Sequence, residues 1–169
     1  MKAEEIKTIV VIGAGAMGQQ IAMNTVMNGR EHSYQVILCD SFEGAIGKAE
    51  KWASDYLSGR VAKGRLTQEE ADKIADCLTI TKDVDTAVSE ADFIIEAIIE
   101  NLEIKRELFR KISRICRPDA VLGTNSSNIV SSRLADVTVN PERLLNIHYF
   151  NPALVMQLVE LVKGGHTSE

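Results

Sequence analysis

Three glycines directly behind an apolar run constrain the fold of this chain more than any other feature. Gly13, Gly15 and Gly18 form the pattern G-x-G-x-x-G in "VVIGAGAMGQQIA", between a strand-like stretch at 8–12 and a helix-like stretch at 16–28. In this context Gly13 permits a tight turn, Gly15 lets a ligand approach the backbone, and Gly18 allows close helix–strand packing. The pattern therefore predicts a strand–turn–helix unit that binds a pyrophosphate at the helix N-terminus.

An acidic residue follows at the distance that a bound dinucleotide requires. Asp40 stands 22 residues after Gly18, behind the apolar run "QVILC", and an acid about 20 residues beyond the glycines binds the adenosine ribose hydroxyls. A carboxylate repels a 2′-phosphate and no arginine occurs in "DSFEGA", so NAD is predicted rather than NADP. Ala16 and Met17, between the second and third glycines, are expected to contact the same cofactor. The alternative is a glycine-rich turn followed by an ordinary surface aspartate.

The rest of the chain alternates between strand-like and helix-like segments. The runs "LTIT", "FIIEAII", "AVLGT", "LLNIH" and "QLVELV" are apolar, as the strands of a buried sheet are. Apolar residues recur at helical spacing over 46–61 and 104–115, and Thr67 with Glu70 offers a capping box for a short helix. The predicted apolar face of the 104–115 helix consists of Ile104, Leu108, Ile112 and Ile115.

This alternation predicts one α/β domain over residues 1–169. It is typical of a Rossmann-type, doubly wound and mainly parallel sheet with helices on both faces. Ligands of such sheets bind beyond the carboxyl ends of the strands.

Composition and charge narrow the class of protein. The 169 residues are 45% hydrophobic and 25% charged, which is ordinary for a globular domain and excludes disordered and collagen-like classes. The formal net charge of -5 is spread along the chain. The basic stripe of a nucleic-acid binder is therefore missing, and nucleic acid is not an expected partner.

The cysteines and the N-terminal stretch bear on the compartment. Cys39, Cys77 and Cys116 are far apart and form no Cys-x-x-Cys pair, which argues against a disulfide framework and a zinc site. We expect buried thiols and no bound metal. The start "MKAEEIK" is acidic rather than a basic signal region, and the apolar segment behind it is too short to span a bilayer. A soluble, cytoplasmic protein without a membrane partner is expected.

A histidine and a glutamate lie in apolar segments further along the chain. His148 lies in "NIHYFNP" at the end of a strand-like run, and Glu160 follows 12 positions later inside "MQLVELV". An ionisable group among apolar residues is costly unless it is partnered, so the two side chains are candidate partners. A histidine at a strand end, oriented by a carboxylate, suits proton transfer near neutral pH. The alternative is a core histidine that bonds a backbone carbonyl.

The motifs, taken in order, carry a family resemblance. The segments "GAGAMG", "EAIIENLEIKRELF", "TNSS", "HYFNP" and "QLVELV", with Asp40, resemble the NAD-binding half of the 3-hydroxyacyl-CoA dehydrogenases over essentially the whole chain. That family includes bacterial 3-hydroxybutyryl-CoA dehydrogenases and interconverts L-3-hydroxyacyl-CoA and 3-ketoacyl-CoA by hydride transfer with NAD. The resemblance implies an oxidoreductase with NAD as cofactor and an acyl-CoA as substrate.

The resemblance also implies roles in the reaction. Carried over by position, His148 is the catalytic base, Glu160 orients it, and Ser126 hydrogen-bonds the reacting oxygen of the substrate. Asn151 is expected to contact the acyl-CoA. For Ser126 and Asn151 the alternative is ordinary turn chemistry, in which both residue types are common.

Three further positions are matched to ligand binding. Glu100 and Lys105 correspond to cofactor contacts within "EAIIENLEIK"; without the resemblance they would be assigned to a solvated helix start. Lys63 is expected to meet the CoA phosphates, although with its basic neighbours it could equally form an exposed charged face.

Members of the family continue for about a hundred further residues as a helical domain. That domain closes over the acyl chain and forms the dimer. It is absent here, and it would begin at "HTSE", where Thr167 or Ser168 followed by Glu169 looks like a first helical turn. We expect the parent protein to be a homodimer through that domain, and the 169-residue chain alone to bind NAD with little or no turnover.

Two other functions remain compatible with the fold. One is a standalone NAD-binding module without turnover, and the other is a dehydrogenase of a non-CoA hydroxy acid. Function depends on the site rather than on the fold. The joint presence of His148, Glu160, Ser126 and Asn151 favours the acyl-CoA enzyme, because a mere NAD binder needs only the glycine turn and Asp40.

Overall fold

The computed structural model describes residues 3–29, 32 and 34–168 of the chain. Its strands are β1 (Thr8–Ile12), β2 (Gln35–Cys39), β3 (Leu78–Thr81), β4 (Phe93–Glu96), β5 (Val121–Thr124), β6 (Leu144–Tyr149) and β7 (Val159–Lys163). Its α-helices are α1 (Ala16–Asn28), α2 (Glu43–Ala62), α3 (Gln68–Asp76), α4 (Val84–Ser89) and α5 (Leu102–Ile115). Short 3₁₀ turns occur at Ala3–Glu5, Ser131–Arg133, Ala135–Val137 and Pro141–Arg143. None of the described helices combines the length and the apolar character needed to cross a membrane.

The strands form one seven-stranded sheet in the order β3-β2-β1-β4-β5-β6-β7. All neighbouring pairs are parallel except β6 and β7, which pair antiparallel. The chain winds outward from β1 in both directions, so the carboxyl ends of β1 and β4 mark the switch point at which such sheets bind ligands. The topology confirms the predicted Rossmann-type, mainly parallel α/β fold.

Helices cover both faces of the sheet. In β1, Ile9 and Val11 pack into one core with α1, α2 and α3, whereas Val10 and Ile12 pack into a second core with α4 and α5. Successive side chains of a strand point to opposite faces. A strand buried on both faces must therefore be apolar at every position, which is why β1 reads as a continuous apolar run.

The predicted helix start at Thr67 is confirmed. The Thr67 hydroxyl accepts a hydrogen bond from the backbone N–H of Glu70 at 3.2 Å, and the Glu70 carboxylate accepts one from the backbone N–H of Thr67 at 2.9 Å. This reciprocal pair satisfies two amides that would otherwise lack a partner at the start of α3. It fixes where the connection from α2 ends.

Helix α5 lies where its periodicity predicted, and most of its predicted apolar face meets the core. Ile104, expected inside, is 42% exposed, but the other three predicted residues pack into the core, namely Leu108, Ile112 and Ile115. Lys105 and Phe109, which the apolar spacing did not select, are also buried. A lysine is ordinarily assigned to the solvent face, but Lys105 is paired inside with the buried carboxylate of Glu96.

Two segments near the site differ from the sequence prediction. The strand expected over "FIIEAII" is shorter than predicted and ends at Glu96. Helix α4 was not predicted from the sequence. Its start carries a cap in which the Asp83 carboxylate accepts the N–H of Thr86 at 3.0 Å, a signal that the sequence does contain.

The last strand, β7, is more exposed than its composition indicated. All five of its residues are exposed, because β7 forms the edge of the sheet. The expectation that Glu160 stands in a buried apolar setting is wrong, since its side chain is 52% exposed.

The segment after β7 is tied back to β6. Thr167 donates its hydroxyl to the carbonyl of Leu144 at 2.7 Å, and the N–H of Ser168 donates to the carbonyl of Glu142 at 2.8 Å. Both residues lie outside any helix. Glu169, the last residue of the predicted helical turn, lies outside the described residues.

The cysteines differ in environment and therefore in expected reactivity. Burial, with the negative charges of Asp40 and Asp83, raises the pKa of the Cys39 thiol to about 12. Cys116 is also buried, but Cys77 is half-buried, which corrects the expectation of three buried thiols. At about pH 8 only about one Cys39 thiol in ten thousand is ionised.

We predict that iodoacetamide at mildly alkaline pH modifies Cys77 well before Cys39 or Cys116, because the thiolate is the reactive form and access is also needed. Mass spectrometry of tryptic peptides over time measures the three rates. In urea all three thiols should react alike. Labelling of Cys39 in the folded protein as fast as Cys77 would contradict the described burial.

Candidate active site

The carboxyl edge of the sheet carries a cavity of about 950 Å³. Its walls come from the β1–α1 turn, the end of β2, the β4–α5 connection, helix α5 and the segment after β5. The volume lies near the upper end of the range of about 300–1,000 Å³ that ligand sites occupy. All predicted cofactor residues line this cavity except Gly18. The fold thus brings the predicted cofactor residues together at one place.

The glycine turn has the geometry that its spacing predicts. Gly13 adopts φ of +109°, and a Cβ there would lie 2.6 Å from the carbonyl oxygen of Ala97. A Cβ on Gly18 would lie 1.7 Å from the carbonyl oxygen of Gly13, so α1 rests directly on the turn. A Cβ on Gly15 would meet no atom within 4 Å. Gly15 therefore leaves open space at the N-terminus of α1.

The N-terminus of α1 is suited to an anionic group. Gly15 is its N-cap residue, and no side chain caps the helix there. The first amides of a helix lack intrahelical partners and carry partial positive charge. Open space, uncapped amides and a cavity of this size together fit the pyrophosphate of a dinucleotide.

Asp40 is held in place at the end of β2. One carboxylate oxygen accepts the N–H of Ala14 at 2.9 Å, and the other accepts the N–H of Phe42 at 2.9 Å. These bonds fix the carboxylate beside the glycine turn while it still lines the cavity. Its contact with ribose hydroxyls stays a prediction.

Glu100 and Ser126 lie at the other side of the cavity. Asp40 follows β2 and Ser126 follows β5, three strand spacings apart in the sheet order, or about 14 Å. The Ser126 hydroxyl donates to the Glu100 carboxylate, which also accepts the N–H of Asn128 at 3.1 Å. Partial burial acts to raise the pKa of Glu100, but these hydrogen bonds and the charge of Lys105 outweigh it and lower the pKa.

His148 lies between a carboxylate on β7 and a hydroxyl in the segment after β5. Its Nδ1 lies 3.0 Å from the Glu160 carboxylate and its Nε2 lies 3.0 Å from the Ser127 hydroxyl. His148 and Glu160 are directly opposite in the antiparallel β6–β7 ladder, where facing side chains are close enough to touch. The expected contact between them is therefore present, and the pairing of the two strands explains it.

The serine beside the histidine is Ser127, which sequence reasoning did not select. The hydroxyl of Ser126, the predicted residue, is turned away into a buried site, where it bonds Glu100 and accepts the N–H of Ile129 at 2.7 Å. Both serines line the cavity, but the Ser126 hydroxyl bonds Glu100 whereas the Ser127 hydroxyl faces His148. The two serines are adjacent in "TNSS", and no sequence signal distinguishes their directions.

A serine–histidine–glutamate order also occurs in hydrolases, which need free backbone amides to bind an oxyanion. Here the amides that follow the serine are engaged, that of Asn128 with Glu100 and that of Ile129 with Ser126. Ser127 is therefore placed to hydrogen-bond a ligand oxygen rather than to act as a nucleophile with such an oxyanion site.

The other two predicted substrate residues lie elsewhere. Asn151 is exposed in the turn that follows β6, three residues after His148. Lys63 is the exposed C-cap residue of α2, which is 20 residues and hence about 30 Å long. Among the described residues that line the large cavity, Lys63 does not occur. Its role toward CoA stays a prediction.

Comparison with known sequences agrees with this geometry. Residues 8–169 match the family described as 3-hydroxyacyl-CoA dehydrogenase, NAD binding domain. The chain is 38% identical over 159 residues to the 3-hydroxyadipyl-CoA dehydrogenase of Escherichia coli (strain K12), covering 94% of this chain and 32% of that protein. It is 36% identical over 165 residues to a probable 3-hydroxybutyryl-CoA dehydrogenase of Bacillus subtilis (strain 168), covering 98% and 56%. The chain thus spans about a third to somewhat over half of these relatives.

Solved structures give the same relationship. The 3-hydroxybutyryl-CoA dehydrogenase from Escherichia coli K12 superposes with a TM-score of 0.89 at 38% identity, over 96% of this chain and 34% of that one. The (S)-3-hydroxybutyryl-CoA dehydrogenase from Ralstonia eutropha superposes with a TM-score of 0.89 at 30% identity, over 97% and 56%. The chain therefore belongs to the 3-hydroxyacyl-CoA dehydrogenase family, of which residues 8–169 form the NAD-binding domain.

Proposed function

We propose that the protein interconverts L-3-hydroxyacyl-CoA and 3-ketoacyl-CoA, with His148 as the group that accepts and returns the hydroxyl proton. The single observation that carries this proposal is the contact of His148 with both Glu160 and Ser127, the latter lining the cofactor cavity. When bound, NAD supplies the acceptor for the hydride that leaves the same carbon. The family relationship supports an acyl-CoA as the proposed substrate class.

In the oxidative direction the substrate hydroxyl proton passes to Nε2 of His148. The Glu160 carboxylate at Nδ1 keeps the ring in the tautomer that has Nε2 free, and it stabilises the positive charge that the ring acquires. The Ser127 hydroxyl, 3.0 Å from the same nitrogen, holds the reacting oxygen beside it. In the reductive direction the same nitrogen returns the proton.

Turnover by this chain alone is proposed to be weak. The chain spans about a third to somewhat over half of its relatives, and Asn151, the proposed contact to the acyl-CoA, is exposed. Substrate that is loosely held against the cofactor loses much of the rate that positioning provides. A single-turnover assay, with the protein in excess over substrate, is therefore better suited to detect the reaction than a steady-state assay.

The decisive test mixes excess protein and NADH with acetoacetyl-CoA and follows the NADH absorbance together with the product by chromatography. Formation of 3-hydroxybutyryl-CoA, at a rate far above that without protein, is expected. If calorimetry shows NADH binding but no CoA ester reacts, the proposed reaction is wrong. Reduction of a free keto acid instead would favour the dehydrogenase of a non-CoA substrate, and no reaction with either would favour a binding module.

Replacement of the proposed base should lower the reaction rate without weakening cofactor binding. We expect His148→Gln to lower the single-turnover rate at least about 100-fold, since general base catalysis contributes at least this much. Glu160→Gln should lower it by less, about 10- to 100-fold, because the ring remains but loses its orienting partner. Glu142→Gln, at an exposed glutamate just before β6, serves as the control and should be silent. An equal effect at Glu142 would contradict a specific role for Glu160.

The adjacent serines should separate into two functions. Ser127→Ala removes the hydroxyl beside His148 and should lower the rate about tenfold or more with little change in the NADH Kd. Ser126→Ala removes the partner of Glu100 and should instead weaken NADH binding. Rates and calorimetric Kd values for both variants measure this. The reverse pattern would return the substrate role to Ser126.

Asp40 should control the choice between the two nicotinamide cofactors. We expect Asp40→Asn to narrow the preference for NADH over NADPH by about tenfold, because it removes the charge that repels a 2′-phosphate. The amide oxygen can still accept one of the two backbone bonds that hold Asp40. Titration with both cofactors measures the ratio, and an unchanged ratio would mean that the carboxylate does not face the ribose.

A further inference from the structure

Behind the cavity wall lies a buried acid that sequence reasoning did not select. Glu96, the last residue of β4, is 0% exposed, and it accepts hydrogen bonds from Lys105 at 2.5 Å and from the N–H of Ile98 at 2.7 Å through one oxygen. Its other oxygen accepts the hydroxyl of Thr124, at the end of β5, at 2.6 Å. Glu96 therefore joins the carboxyl ends of two strands to helix α5.

The ammonium of Lys105 extends this connection toward the cavity. It is 1% exposed and lies 3.5 Å from Glu100 and 3.4 Å from the carbonyl of Ile98. Glu100 in turn holds Ser126. The carboxylate of Glu96 lies at one end of a continuous series of contacts, Glu96–Lys105–Glu100–Ser126, and the last three members line the cavity while Glu96 does not.

A buried ion pair contributes little net stability to a fold. Removing two charges from water costs about as much as their attraction returns, and apolar replacements of such pairs are often neutral or stabilising. The pair does fix geometry, because each of its hydrogen bonds has a direction. The connection from Ala97 to Asn101, which carries Glu100, is held by Glu96 at Ile98 and by Lys105.

We propose that Glu96 is a positioning residue for the half of the cofactor site that lies away from Asp40. It holds Lys105 and the Ala97–Asn101 connection so that Glu100 and Ser126 meet the nicotinamide half of the bound dinucleotide in a fixed arrangement. Ser126 precedes Ser127, the partner of His148, so this half adjoins the reacting groups. The inference rests on the cofactor assignment of Glu100 and Lys105 and on the proposed role of His148.

The test compares two ligands in one variant. Glu96→Gln keeps the shape of the side chain and removes the charge that faces Lys105. By calorimetry we expect the NADH Kd to rise about tenfold or more, with the Kd for ADP-ribose, which lacks the nicotinamide, changed less than about twofold. A merely structural defect would weaken both ligands together. Equal weakening of the two, or no change in either, overturns the inference.

Asp92 supplies a matched control. It is a buried acid just before β4, where it accepts the N–H groups of Lys7 and Thr8 and pairs with Arg117. Asp92→Asn makes the same change of charge at the opposite end of the strand. It should lower the Tm while leaving both ligand affinities within about twofold of the wild type.

A double variant covers the case in which Glu96→Gln alone does not fold. Glu96→Gln with Lys105→Met buries no charge, so its Tm should recover. Its NADH affinity should be about tenfold weaker than that of the wild type, while its ADP-ribose affinity should be unchanged. Wild-type NADH affinity in this variant would overturn the inference. Turnover of the wild-type protein is measured in the same series of experiments as the NADH Kd of the variants. Lack of turnover with normal NADH binding counts against the proposed reaction, whereas an unchanged NADH Kd in Glu96→Gln counts against the positioning role.

Discussion

The close contact between the turn after β1 and the first turn of α1 is the constraint on which the rest of the site depends. Because Gly18 has no Cβ, α1 rests on the backbone of Gly13, and because Gly13 has none, Ala97 can approach from the neighbouring strand. The N–H of Gly13 also donates to the carbonyl of Cys39 at 2.8 Å, and that of Ala97 to Ile12 at 2.7 Å. The ends of three strands are thereby locked together, and the cavity opens above them.

The sequence predicted the fold well because its signals were local. Strands buried on both faces are apolar at every position, and the capping box at Thr67 is satisfied by residues three apart. The glycine turn and Asp40 were predictable for the same reason, since spacing along the chain fixes where each lies relative to β1 and β2. What could not be predicted depended on contacts between distant segments. The burial of Lys105 in α5 was one such case, since it depends on the Glu96 carboxylate at the end of β4, a different element of the fold.

Two glutamates in apolar segments show that the same sequence signal is compatible with an exposed and with a buried side chain. Glu160 in "MQLVELV" was selected because a lone acid among apolar residues demands a partner, yet it is exposed, since β7 is an edge strand. Glu96 in "FIIEAII" carries the same signal and is fully buried in the centre of the sheet. The order of the strands in the sheet determines which acid is buried, and neither segment contains a signal from which that order can be predicted. Ser126 was selected on the family resemblance, whereas Ser127 lies beside His148. The sequence did not indicate this, because neighbouring side chains in extended chain point in different directions.

The pairing of β6 with β7 ties the proposed chemistry to backbone register. The ladder runs from Leu145 opposite Lys163 to Tyr149 opposite Val159, and only in this alignment does Glu160 stand across from the imidazole. A slip by a single residue would set an aliphatic side chain opposite His148 and carry the carboxylate to the other face of the sheet. A one-residue insertion or deletion within β7, between its start and Glu160, would thus act like the loss of a catalytic group, although every such group would still be present. The register of β7 is accordingly part of the proposed active site.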